Sequence, residues 1–206
     1  MHFLKLILLL VLGGSGAYLL GSISSAILVC RLFGLPDPRQ AGSHNPGATN
    51  VLRLGGRLPA ALTLGGDVLK GFLPVWGIKL LTGNPWIIST VLMAAIAGHI
   101  FPVFFRFKGG KGVATAVGGL FGLSATLGAI FVFSWMAVFA LCRYSSLSAL
   151  VAIILVPLSA IGFLDERYLP ALVLLAGMIL WRHRENISRL LKGTEQKSSF
   201  RRSKSV

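Results

Sequence analysis

The sequence predicts an all-α, polytopic integral membrane protein with seven transmembrane helices, its N-terminus outside and its C-terminus cytosolic. Three observations carry that prediction. Of the 206 residues 54% are apolar and only 13% charged, too little polar surface for a soluble domain. The mean hydropathy of +0.78 is concentrated in runs that approach the roughly 20 residues needed to cross a bilayer core as helix. The basic residues gather in alternate connections between those runs. The same composition excludes a disordered chain and a disulfide-stapled secreted domain.

The apolar runs cover 4–29, 58–81, 86–105, 112–141, 147–163 and 169–181. The first resembles a signal peptide at its start, but it continues past Gly21 and lacks an A-x-A cleavage pattern, so it reads as a retained span. The fourth would extend about 45 Å as a single helix, too long for one crossing of a core near 30 Å. Gly118, Gly119, Gly122 and Gly128 surround a small polar stretch at 123–127, where the chain can turn back between two short helices. In the last run Tyr168 and Trp181 fall at the two interfaces.

Charge decides between six and seven crossings. With the fourth run crossing twice, the cytosolic side receives Arg31, Arg39, Arg53, Arg57, Arg106, Lys108, Lys111, Arg143 and every basic residue from Arg182 onward. The outer side receives only Lys5, Lys79 and Arg167. A six-crossing chain would carry its basic tail outside, against the positive-inside rule. The excess of 20 Lys+Arg over 6 Asp+Glu therefore reflects membrane orientation and an anionic ligand, with no nucleic acid implied. Residues 1–191 form the membrane domain, and 192–206 read as a basic, flexible cytosolic tail lying on anionic lipid.

Four polar clusters face the cytosol in this arrangement. The stretch 39–53 combines Gly42 and Gly47, which let backbone amides converge, with Ser43, Asn45 and Asn50 as neutral donors and Arg53 as a planar fork for a phosphate. At 107–115, FKGGKGVAT sets Lys111 among glycines at the start of a helix, an anion seat at a positive helix end. It is not a Walker A loop, because Phe105 stands at the first Gly position and Gly112 at the Ser/Thr position. The other clusters are Arg143 to Ser148, with Ser146, and Arg182 to Asn186, with His183.

Asp67 and Lys70 lie one turn apart inside the second span, spaced to pair and so reduce the cost of burying either charge. Cys30 and Cys142 lack any metal or redox spacing and read as reduced hydrophobes. His2, His44, His99 and His183 are widely separated and short of acidic neighbours, so neither a metal site nor a cofactor is expected. A lone intramembrane acid also argues against metal-dependent phosphotransfer, and the H-x-x-x-x-D acyltransferase pattern is missing. An organic-anion carrier would share the spans and the cationic mouth, but no inverted repeat is evident and the polar residues collect on one side.

Together these clusters resemble the PlsY family, bacterial membrane enzymes that acylate glycerol 3-phosphate from acyl phosphate. The resemblance rests on Gly-Ser-Ile at 21–23, GSHNPGATN at 42–50, Asp67 with Lys70 and Gly71, GHIFP at 98–102, FKGGKGVAT at 107–115 and RHREN at 182–186. It implies seven spans, a site open to the cytosol of a bacterial inner membrane, acyl phosphate and glycerol 3-phosphate as substrates, and 1-acylglycerol 3-phosphate and phosphate as products. Ser43, Asn45, Arg53 and Lys111 would bind phosphate groups, with Asn50 and Lys108 in support. Ser146, His183 and Asn186 would orient glycerol 3-phosphate and the leaving group, so His183, Ser146 and Lys111 stand nearest the chemistry. The proton goes to His183 or to a substrate phosphate oxygen, the phosphate being the preferred acceptor, and Ser146 as a covalent nucleophile lacks an evident base. Two positions depart from the family pattern. His44 stands where Gly is usual, adding a titratable side chain to the phosphate loop, and Ser24 stands where Pro is usual.

Overall fold

The computed structural model describes residues 2–198, and the regular secondary structure among these is all helical. The helices are α1 (His2–Gly21), α2 (Ser25–Leu32), α3 (Ala48–Gly55), α4 (Arg57–Leu81), α5 (Pro85–Ile100), α6 (Val113–Leu123), α7 (Ala125–Cys142), α8 (Ser145–Ala160), α9 (Leu169–Arg182) and α10 (Arg184–Leu191). Short 3-10 turns stand at Val103–Phe105 and Glu166–Tyr168.

Three stretches are long and apolar enough to cross a membrane, Phe3–Leu32, Pro85–Phe105 and Ala125–Cys142. The other expected spans are helical but differ in kind. α4 has 25 residues and includes Asp67, Lys70 and Lys79, while α6, α8 and α9 have 11, 16 and 14. Large apolar side chains such as Leu8, Leu73, Phe133, Leu158 and Val173 face outward, an arrangement suited to lipid and costly in water.

The first run is broken where its pattern predicts continuity. α1 ends at Gly21, and α2 starts at Ser25. The break frees backbone carbonyls, and Lys70 donates to the Ile23 carbonyl at 2.7 Å while pairing with Asp67 at 2.8 Å. The expected ion pair is therefore present, and it also repairs the interrupted helix.

The fourth run divides where expected. Ser124 is extended and caps α7 through its hydroxyl, which accepts from the Leu127 amide. Gly128 then packs on the Phe121 ring, and Gly112 at the start of the run and Ser145 just beyond its end line one cavity. The chain folds back on itself. Lys79 of α4 secures the turn by donating to the Leu123 carbonyl at 2.6 Å.

Glycines set the spacing between helices. A Cβ on Gly118 of α6 would stand 1.9 Å from the Val68 carbonyl oxygen of α4, and one on Gly71 would stand 2.0 Å from that of Thr115. Gly21 and Gly98 serve α1 and α5 in the same way, against Ala95 and Tyr18. Without a hydrophobic driving force between helices in lipid, such close backbone contact supplies the packing energy. The core between them holds Val75, Ile88, Leu120, Phe131, Ile153 and Leu172, all buried.

Two polar helices lie inside segments expected to be loops. α3 buries Val51 against Ala26, Cys30 and Leu35, and α10 buries Asn186. Within the stretch expected as a basic tail, from 192 onward, the Ser198 amide donates to the Arg143 carbonyl at 2.9 Å. The remainder of that expected tail, 199–206, lies outside the described residues.

Candidate active site

All four polar clusters open onto one cavity of about 840 Å³. Its lining includes Ser43, Asn45, Asn50, Arg53, Lys111, Ser146, His183 and Asn186, which are eight of the nine site residues expected from the sequence. The ninth, Lys108, borders a separate cavity of about 280 Å³.

The loop before α3 is shaped by Asn50. Its Oδ1 accepts the Ser43 amide at 2.8 Å, and its Nδ2 donates to the carbonyls of Pro38 and Ala41, both at 3.0 Å. Gly42 lies in the left-handed region at φ +65, and a Cβ there would stand 2.2 Å from Asn50 Oδ1. The Asn50 amide is thus fully engaged by the loop it supports. Ser43, Asn45 and Arg53 have no side-chain hydrogen bond or ion pair among the described residues, so their polar atoms remain free for a ligand. His44 also lies at positive φ, +56, a conformation glycine adopts without strain, and its Nδ1 is 3.3 Å from the Arg39 carbonyl.

The Gly109-Gly110-Lys111 loop is clamped from two sides. Below it is His99, whose Nδ1 is 3.0 Å from Thr115 Oγ1 and whose carbonyl accepts the Gly110 amide at 3.2 Å. A Cβ on Gly109 would meet the His99 carbonyl oxygen at 2.0 Å, and one on Gly110 would meet His99 Nε2 at 2.3 Å. From the other side Arg182 donates to the Gly109 and Gly110 carbonyls, each at 3.2 Å. Lys111 is thereby directed inward and donates to Asn186 Oδ1.

Glu195 completes this wall. Its carboxylate accepts from Ser146 Oγ at 2.5 Å, Asn186 Nδ2 at 2.6 Å and Arg189 Nε at 2.7 Å. Burial raises its pKa, but the hydrogen bonds from Ser146, Asn186 and Arg189 outweigh that effect and hold it below the ordinary carboxylate value. Glu195 falls in the stretch 192–206 that reads from sequence as a basic tail, and it is not among the site residues expected there. The available signal was Gly193, which at φ +68 closes α10: the Thr194 amide donates to the Arg189 carbonyl and the Gly193 amide to that of Leu190. This Schellman turn sends the chain back toward the site.

The electrostatics follow from enclosure. Burial lowers the Lys111 pKa to about 8, against the opposing pull of Glu195. Burial, then the Lys111 charge, depresses His183 to about 4, so its imidazole is neutral near pH 7. His183 Nδ1 lies 2.8 Å from the Ile179 carbonyl, which assigns the proton to Nδ1 and leaves Nε2 as an acceptor. Away from this polar end, the cavity continues between Leu64 and Val68 of α4, Val117 of α6, and Phe131 and Trp135 of α7. A cationic, amide-rich head joined to an apolar limb suits an acidic molecule carrying a hydrocarbon chain.

Comparison with known proteins agrees with that shape. Residues 9–193 match the family model described as glycerol-3-phosphate acyltransferase. The chain is 55% identical over 181 residues to glycerol-3-phosphate acyltransferase of Francisella tularensis subsp. novicida, and equally to that of Francisella philomiragia, covering 88% of this chain and 89% of each relative. It is similar to the crystal structure of PlsY, an integral membrane glycerol 3-phosphate acyltransferase, in its glycerol 3-phosphate form. That match has a TM-score of 0.86 and 37% identity, over 95% of this chain and 96% of the other. The lysophosphatidic acid form of PlsY matches with a TM-score of 0.84 over 94% and 95% of the two chains.

The fold and site thus define an integral membrane acyltransferase. The chain belongs to the glycerol-3-phosphate acyltransferase family, of the PlsY type.

Proposed function

We propose that the enzyme transfers a fatty acyl group from acyl phosphate to the 1-hydroxyl of glycerol 3-phosphate, giving 1-acylglycerol 3-phosphate and inorganic phosphate. The observation that carries this reading is the joined cavity: Arg53, Lys111 and Arg182 at its polar end, Val117, Phe131 and Trp135 along its apolar limb. Two phosphate-bearing substrates need such a concentration of cations, and the acyl chain needs the limb.

An acyl phosphate is a mixed anhydride, so catalysis requires positioning and charge neutralisation more than a covalent intermediate. The glycerol hydroxyl oxygen attacks the acyl carbonyl carbon, the bond from that carbon to the phosphate oxygen breaks, and the departing phosphate keeps the electron pair. Ser43, Asn45, Arg53 and Lys111 hold the phosphates, while Ser146, His183 and Asn186 orient the hydroxyl. Asn50 acts one step removed, by holding the Ser43 loop. The hydroxyl proton passes to a substrate phosphate oxygen. A phosphomonoester with a second pKa near 6 is a stronger base than an imidazole whose pKa is about 4. Glu195 accepts the Ser146 hydroxyl hydrogen, yet its depressed pKa makes it a weak base, so Ser146 serves as a ligand.

In the membrane, the α1–α2 pair, α4, α5, α6, α7, α8 and α9 make seven crossings, with α3 and α10 at the cytosolic face of a bacterial inner membrane. Support comes from the charge distribution and from the shared cavity, which requires the connections at 33–47, 101–112, 143–144 and 183 onward to lie at one end.

The test uses purified protein in lipid nanodiscs with acyl phosphate and glycerol 3-phosphate. Phosphate release that requires both substrates, together with formation of 1-acylglycerol 3-phosphate, is expected. Turnover with acyl thioesters but none with acyl phosphate would refute the assigned donor.

A further inference from the structure

Lys108 and Lys111 flank the same two glycines, yet they border different cavities. The large cavity has Lys111. The smaller one, about 280 Å³, has Lys108 together with Arg39, His44, Phe107 and Arg182. His44, Gly109 and Arg182 line both, forming a partition between them.

The charges in the smaller cavity do not balance. Arg39 is neutralised by Asp37, through contacts of 3.0 Å to Oδ1 and 2.6 Å to Oδ2. Arg182 hydrogen-bonds only neutral carbonyls and keeps its full charge. Lys108 is exposed, and its ammonium has no hydrogen bond or ion pair among the described residues, its backbone amide alone donating to the Phe105 carbonyl. Two uncompensated cations therefore face one small space. Its rim is aromatic: Phe101 and Phe107 line it and are exposed, and Trp181 adjoins Phe101 with ring centroids 6.0 Å apart. Aromatic rims with basic floors suit the depth at which lipid phosphates lie.

We propose that the smaller cavity is a second anion site, separate from the acyl-transfer cavity, in which Lys108 and Arg182 bind a phosphate group against the wall formed by His44 and Phe107. The phosphate is either the headgroup of an anionic membrane lipid or free phosphate. Occupancy bears on the larger cavity, because Arg182 also holds the two carbonyls that precede Lys111. The inference needs the geometry of the cavity and not the identity of the acyl donor.

Two arms of one experiment distinguish the sources. In phosphatidylcholine bilayers, spin-labelled phosphatidylglycerol should associate with the wild-type protein in preference to spin-labelled phosphatidylcholine. Lys108→Gln should reduce that preference about fivefold, as expected for one cation near a membrane surface, and Lys108→Arg should restore it. In the second arm inorganic phosphate is titrated into phosphatidylcholine nanodiscs holding Lys111→Ala protein, which lacks the loop cation of the large cavity. Binding that falls about fivefold on adding Lys108→Gln identifies free phosphate. A loss confined to the first arm identifies the lipid headgroup. No loss in either arm, or an equal loss in Lys192→Gln, whose cation is exposed and outside both cavities, would overturn the proposal.

Discussion

Replacing Asn50 by Asp tests whether the phosphate loop is held from beneath. The two side chains have nearly the same shape, and the carboxylate can still accept the Ser43 amide. It cannot donate to the carbonyls of Pro38 and Ala41, which now sit 3.0 Å from the asparagine nitrogen and would instead face a carboxylate oxygen. A buried acceptor left without its donor costs about 1–3 kcal/mol, so two cost about 2–6 kcal/mol before relaxation. Water entering the loop recovers part of this, which leaves about 2 kcal/mol, equivalent to roughly thirtyfold in the population of the ordered loop. Because the binding-competent fraction scales apparent affinity, KM for glycerol 3-phosphate should rise about ten- to thirtyfold, with a smaller change in kcat. The measurement is steady-state kinetics in nanodiscs, alongside a thermal melt to verify folding. A well-folded Asn50→Asp protein whose KM stays within about twofold of wild type would refute the reasoning.

Other outcomes follow from the same geometry. With the Lys111 pKa at about 8, deprotonation above that pH removes a cation facing substrate phosphate, so kcat/KM should decline as pH rises through 8; Lys111→Arg, if active, should lose that alkaline limb. His183→Gln should lower turnover while leaving the shape of the pH profile between 6 and 8 unchanged, because a group with pKa about 4 does not titrate there. Glu195→Ala removes the shared acceptor of Ser146, Asn186 and Arg189, and activity should fall at least about a hundredfold, consistent with losing three charge-assisted hydrogen bonds. Gly118→Val should prevent assembly, seen as aggregation in size-exclusion chromatography, since the added Cβ would sit 1.9 Å from the Val68 carbonyl oxygen. Gly177→Ala, with nothing within 4 Å of the added atom, should be neutral.

Hydropathy located the helices well because lipid imposes one dominant constraint, enclosure of the backbone by its own hydrogen bonds in long apolar segments. The run at 58–81 became Arg57–Leu81, and the turn expected within 123–127 occurs at Ser124. The break after Gly21 was not legible. It depends on Lys70, which reaches the Ile23 carbonyl from another helix, and no local pattern reports such a bond. α3 was equally hidden, since it buries only Asn50 and Val51 and its remaining residues read as a polar connector.

For the site, residue chemistry was more legible than residue orientation. Ser43, Asn45 and Arg53 were expected as phosphate ligands and do line the cavity. Asn50, selected by the same logic, directs its amide into its own loop. Composition cannot distinguish a donor facing a ligand from one facing the backbone. His99 illustrates the converse: dismissed as a metal ligand, it forms the surface on which the glycine loop rests.

Glu195 is also among the last of the cavity's side chains to be synthesised, with only Gln196 and Ser198 after it in the lining. Every membrane helix has been made by the ribosome before this carboxylate can join Ser146 and Asn186. A nascent chain can therefore insert its helices before the wall of this cavity is complete.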